Sequence, residues 1–273
     1  MKQPYDAIIV VIASQDQDVQ NTRYITKRLI PEWEPLYPVM KDVWTQYACT
    51  EPSIKVIFTY GGGPKSFPVQ DHDWIYEDVF ENNYPGMITK TLRAFADIDR
   101  LYDYKHMIRT NLSTFWDFPR FMQRLKALPT ENCLTGTVIR FKDKEDNQYE
   151  YIAGYDMIIS RDVVQQILPH AEETIKQRVF CDMEDLSLCT TIAKYTTAKI
   201  IDDKQHKAYN LSLSPFEMDE YRIHYTRYQQ SVHDHFRVKT RTDRNADKQI
   251  LQHLLYDIYD KTILQSDHPS TGV

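Results

Sequence analysis

Glycine is scarce in this chain, at seven residues in 273. That excludes collagen-like and glycine-rich low-complexity architectures. The single glycine cluster, Gly61-Gly62-Gly63-Pro64, lacks the GxxxxGK[ST] spacing of a phosphate-binding P-loop and reads as a turn. Cysteine is rarer still. Cys49, Cys133, Cys181 and Cys189 form no CxxC pair, so neither a disulfide scaffold nor a zinc knuckle is indicated, and reduced thiols are expected. No apolar run approaches the roughly 20 residues of a transmembrane helix; the AIIVVIA stretch covers only residues 7–13. Positive charge is not in excess either. The formal net charge is −6 and lysine and arginine are spread along the chain, which disfavours a nucleic-acid partner and makes any anion site a local feature. The start carries no charged and apolar leader, so the expectation is a cytoplasmic chain without a membrane span.

Core-forming residues are plentiful, with 19 tyrosines and 12% aromatic residues overall. A chain of this length can bury one substantial core. YDAIIVVIAS (5–14) and IKVIFTY (54–60) are the continuous β-branched and aromatic runs of strands buried on both faces. Helical spacing is expected over Thr22–Leu29, Val39–Cys49 and 85–99, and a third buried strand over YKHMIRT (104–110). Strands alternating with helices predict an α/β layered domain whose ligand crevice lies at the carboxyl ends of the strands. Further on, 136–160 reads as strands broken by a charged hairpin and 161–178 and 183–195 as helices. Residues 208–230 read as strand-rich, and 246–264 as a closing amphipathic helix. No linker composition separates the halves. One domain over 1–265 is expected, with lobes of about 1–120 and about 121–265, and 266–273 as a tail.

Four segments in order carry a resemblance: DVFENNYPGMITKTL (78–92), YKHMIRTNLSTFWDFPRF (104–121), YIAGYDMIISRDVVQQIL (151–168) and CDMEDLSLCTTIAKY (181–195). Their succession over residues 5–195 resembles the inverting GT-A glycosyltransferases of the β-1,3-galactosyltransferase and fringe type, and the variant RTNLSTF resembles glycosyltransferase-like proteins of large DNA viruses. The resemblance implies a GT-A-like α/β fold, a Rossmann-like nucleotide-binding half, a nucleoside-diphosphate sugar donor with UDP-sugar favoured, and a glycan or glycoprotein acceptor. By colinearity it puts Asp78 at the base or ribose and Lys90 at the phosphates. It also matches Asp185, then Glu184, to the base that deprotonates the acceptor, and leaves Asp182 as a helix cap. Asn111, Leu112 and Ser113 stand where that family carries an acidic triplet. Divalent cations need hard oxygen ligands and these are weak neutral ones, so Mn²⁺ or Mg²⁺ is not favoured.

Without a metal, the charge that develops on a leaving diphosphate needs another counter-charge. HDHFRVKTRTDRN (233–245) offers His235, Arg237, Lys239, Arg241 and Arg244, and alternation along a strand would put Arg237, Lys239 and Arg241 on one face. A solvated edge strand is the competing reading of this segment. His233 and His235 are alternatively metal ligands or ordinary histidines. Asn111 and Ser113 are expected to line the sugar-phosphate site. Arg109, ending a buried strand, needs an anionic partner, either a diphosphate or a structural carboxylate. Arg23 is a softer nucleotide contact. Trp116 is an acceptor platform or a core residue. Two other classes remain open from sequence: a catalytically silent relative that binds glycans or a protein, and a metal-dependent hydrolase of nucleotide sugars.

Overall fold

The computed structural model describes residues 4–13, 36–62, 69–80, 84–143, 145–177, 183–203, 207–240 and 244–262. Three parallel strands form its centre. β1 (Pro4–Ile12) pairs with β2 (Ile54–Gly61) on one side and with β4 (Asp103–Asn111) on the other. β3 (Asp73–Tyr76) closes the β2 edge. Beyond β4 come β9 (Asp156–Ser160), β6 (Cys133–Thr135) and β10 (Lys199–Ile201), giving a seven-stranded sheet in the order β10-β6-β9-β4-β1-β2-β3. β9 is antiparallel to both its neighbours, while β6 and β10 run parallel to each other.

The residue pattern explains why this sheet is interior. Ala7, Ile9 and Val11 of β1 face one apolar cluster, and Ile8, Val10 and Ile12 face a second. A strand buried on both faces needs a layer over each. α1 (Leu36–Tyr47) and α8 (Arg244–Tyr259) contribute to the first layer, α2 (Gly86–Leu101) and α6 (Glu184–Tyr195) to the second. α4 (Arg161–Ile167), continued by a 3-10 turn and α5 (Ala171–Lys176), extends the second layer. The expected α/β domain with helices over both faces is therefore observed.

Two smaller sheets complete the frame. β5 (Thr114–Trp116), β12 (His235–Val238) and β11 (Tyr209–Leu211) form one, and the hairpin of β7 (Val138–Lys142) and β8 (Gln148–Ile152) the other. α3 (Phe118–Ala127) follows β5, capped by Asp117, which accepts from the Arg120 N–H. Gly136 (φ +145) makes the bend into the hairpin, where a Cβ would lie 2.5 Å from the Asp156 carbonyl oxygen, so only glycine fits.

One sequence expectation fails here. Residues 208–230 are not strand-rich: only β11 is a strand, and α7 (Met218–Gln229) is a helix. Tyr221 and Tyr228, seven residues apart, fall on one helical face and are both buried. Tertiary packing overrides the local preference. The helix expected at 22–29 lies outside the described residues.

Lys41 of α1 and Asp73 of β3 form an ion pair at 2.5 Å, with both side chains almost fully buried. Removing one member of such a pair leaves an uncompensated charge. Lys41→Met is expected to destabilise the protein by about 3–5 kcal/mol, read as a lower urea midpoint at an unchanged slope. A midpoint equal to wild type would show that the pair does not hold β3 in place.

Candidate functional site at the carboxyl ends of β1 and β4

From β1 the chain builds β2 and β3 on one side and β4 on the other, so the order of strands reverses between β1 and β4. In open α/β sheets the crevice outside the carboxyl ends at such a reversal is where ligands bind. Ile12 and Asn111 pair in register at those ends. The Lys90 ammonium of α2 donates to the Ala13 carbonyl at 2.6 Å, so this buried lysine stands at the end of β1. Asn111 Oδ1 accepts from the Ser113 N–H at 3.2 Å and from Ser113 Oγ at 3.0 Å, a tight polar turn between β4 and β5.

Arg237 arrives from the other side. β12 pairs antiparallel with β5, setting His235 opposite Trp116 and Arg237 opposite Thr114. Arg237 Nη1 then donates to Asn111 Oδ1 at 2.5 Å and to Ser113 Oγ, and the guanidinium lies over the Tyr155 ring, 4.8 Å from its centroid. The Tyr155 carbonyl accepts from Thr110 Oγ1 at 2.6 Å and from Thr114 Oγ1 at 3.0 Å, which fixes that ring beside β4. Asn111, Ser113 and Arg237, expected together from sequence, do converge.

A second group lies along β4. Arg109, two residues before Asn111 and on the same face of the strand, pairs with Glu184 of α6 at 2.5 Å. Thr91 Oγ1 donates to the same carboxylate at 2.9 Å. Burial pushes the Glu184 pKa up, and the opposing attraction of Arg109 does not cancel it. Arg109 needs room, and Gly154 supplies it: a Cβ there would lie 2.3 Å from the guanidinium. Asp185 is only half-buried, accepts the Gly154 N–H at 3.0 Å, and sits in the first turn of α6. Of the two acids expected to act as base, Glu184 is thus the buried counter-ion of Arg109. Asp185 is the more accessible carboxylate.

The remaining sequence expectations divide. His235 is fully buried with both ring nitrogens bonded to carboxylates, Nδ1 to Asp234 at 2.6 Å and Nε2 to Asp156 at 3.0 Å, so it has no face open to a nucleotide. Trp116 is likewise fully buried, stacked on His235 with centroids 4.5 Å apart, and is no acceptor platform. β12 ends at Val238, so Lys239 is exposed but outside the strand, and the expected one-faced alternation does not extend to it. Asp78 is an exposed acid held by Arg93 Nη1 at 2.5 Å, and that hydrogen bond lowers its pKa. Arg23, Asp182 and Arg241 lie outside the described residues, as does the side chain of Arg244 at the start of α8.

Tyr155, Asp156 and Thr137 were missed. The clue was present in GYDMIIS, where an acid leads an apolar strand: a carboxylate entering a core must find donors. Asp156 finds the Thr137 N–H at 3.0 Å, Thr137 Oγ1 at 2.6 Å and His235.

Among the described residues no three His, Cys, Asp or Glu side chains group as a cation site. Asn111 Oδ1 and Ser113 Oγ both accept from the Arg237 guanidinium. A divalent cation bound there would meet a like charge, so these residues do not fit one.

Two measurements follow from the site's charges. Glu184→Gln strips a buried guanidinium of its counter-ion and is expected to cost about 3 kcal/mol, whereas Asp185→Asn, half-exposed, should stay within about 1 kcal/mol; equal urea midpoints for the two variants would contradict this division. For His235, burial opposes the charged form, but the hydrogen bonds to Asp156 and Asp234 outweigh it and its pKa is raised above 6.5. A raised folded-state value gives stability that is fully present below pH 6.5 and is lost as pH rises through the folded pKa. Urea midpoints measured upward from pH 6 should therefore fall in wild type and change less in His235→Gln.

No known protein-family model matches the chain, and no curated protein sequence matches it.

Proposed function

We propose that the chain is a GT-A-type glycosyltransferase that moves a sugar from a nucleoside-diphosphate sugar, with UDP-sugar favoured, to a glycan or glycoprotein acceptor with inversion and without a divalent cation. The observation that carries the reading is the pairing of a guanidinium and a half-buried carboxylate across two consecutive residues of one bend. Gly154 holds Asp185 through its N–H, and Tyr155 lies beneath Arg237. Arg237 bonds Asn111 at the end of β4, at the reversal point where a nucleotide is expected to bind, and Asp185 lies next to the start of β9, the other neighbour of β4.

The chemistry needs these two charges. Asp185 takes the proton of an acceptor hydroxyl as its oxygen attacks the anomeric carbon. The bond from that carbon to the distal phosphate oxygen breaks, and its electron pair leaves on the diphosphate. Arg237 stabilises that developing charge, and a planar guanidinium can bind two phosphate oxygens at once. Arg109 and Glu184 neutralise one another below the site. They keep the wall of the crevice rigid without adding net charge.

The test is a screen of UDP-sugars against mixed glycan acceptors in the presence of EDTA, with product configuration read by NMR. Transfer with an inverted anomeric centre is expected. Asp185→Asn should lower kcat at least about a hundredfold while leaving UDP affinity within about twofold of wild type. An Asp185→Asn variant that turns over normally would remove the base assignment. UDP-sugar binding with no transfer to any acceptor would instead describe a silent sugar-nucleotide-binding relative.

A further inference from the structure

Arg237 reaches the crevice from β12, a strand of only four residues. Beside its ladders to β5 and β11, a closed circuit of contacts holds that strand. Arg237 lies on the Tyr155 ring, and Tyr155 immediately precedes Asp156, the first residue of β9. Thr137 donates through both N–H and Oγ1 to Asp156, and Asp156 accepts from His235 Nε2. His235 stands two residues before Arg237 on the same strand, which closes the circuit.

The imidazole faces acceptors on both sides, because a carboxylate oxygen approaches each ring nitrogen. Only the imidazolium can donate from both nitrogens at once. The charges around it alternate: Arg124 pairs with Asp234 at 3.3 Å, Asp234 with His235, and His235 with Asp156. Trp116 covers one face of the ring, and Asp117, the cap of α3, is the further acid near Asp234. A neutral imidazole would leave one of two buried carboxylates facing a lone pair.

We propose that His235 is a positioning residue: as an imidazolium clamped between Asp156 and Asp234, it holds β12 at the register that seats Arg237 over Tyr155 and against Asn111 and Ser113, and so sets affinity for a nucleoside diphosphate. The inference rests on the reading of Arg237 as the diphosphate counter-charge. It adds that diphosphate affinity depends on a proton bound to a group that never touches the ligand.

The experiment is calorimetric titration of the whole chain with UDP, with UMP as control, for wild type, Arg237→Ala, His235→Gln and the double variant. Arg237→Ala should weaken UDP about tenfold and UMP much less, because the distal phosphate loses a charged partner. His235→Gln should weaken UDP by a similar factor, and the double variant should be no weaker than Arg237→Ala alone, the signature of one residue acting through the other. A purely structural role would make the two losses multiply, and that outcome overturns the proposal. A second arm needs no folded His235 variant. Wild-type affinity for UDP should fall as pH rises above 6.5, and the fall should be absent in Arg237→Ala; a flat wild-type profile, or an equal fall in both proteins, sinks the idea. If Arg237→Ala binds UDP as wild type does, the diphosphate reading of the site fails first. If only the coupling is missing, that reading stands and His235 is framework alone.

Discussion

The hydrogen bond between His235 and Asp156 joins two sheets that share no ladder. Asp156 opens β9 in the large sheet and His235 opens β12 in the small one. Each is fully buried, and each would be costly there alone. Together with Asp234 and Arg124 they make an alternating row of charges in which every member has an opposite neighbour. Replacing such a row by apolar residues need not lose stability, but removing one member does. The row adds a second constraint on the placement of β12 beside its ladders to β5 and β11.

The crevice inherits its geometry from that placement. Asn111 and Ser113 come from the large sheet's end and its exit turn, whereas Arg237 comes from the small sheet. Their convergence is therefore a tertiary event. Arg109 and Glu184 tie β4 to α6 in the same way, and α6 delivers Asp185 to the rim. One ion pair and one row of four alternating charges thus flank a guanidinium and a carboxylate that stay partly exposed.

Much of the frame was legible in the sequence because buried parallel strands write themselves as unbroken apolar runs, as in AIIVVIA and IKVIFTY. The turn at Asn111 to Ser113 was legible too, since it ends such a run with small polar residues. Long-range pairing was not. Nothing local distinguishes His235, fully enclosed, from a surface histidine, or Trp116 in the core from a platform at the rim. The fate of His235 is set by Asp156, 79 positions away in sequence, and Trp116 stacks on the His235 ring. Glu184 and Asp185 are adjacent and chemically alike; only the position of Arg109 separates their roles. The tyrosines of α7 show the same limit, because aromatic residues suit either a pleated or a helical face and the partner surface decides.

β9 runs against its neighbours, and that reversal determines which residues can face a ligand. In the parallel strands the crevice is furnished by residues leaving a strand. At β9 it is furnished by residues entering one, with Asp156 beside Thr110 of β4. The segment immediately upstream of that entry is the β7–β8 hairpin, which pairs with neither larger sheet. Val138, Tyr151 and Ile152 of the hairpin are buried in the cluster that also holds Ile8, Val10 and Ile12 of β1, so its base is part of the core, while Glu145, Asp146 and Asn147 at its tip are exposed. The tip can therefore change in length or side chains while the strands that end at Ile12 and Asn111 stay fixed.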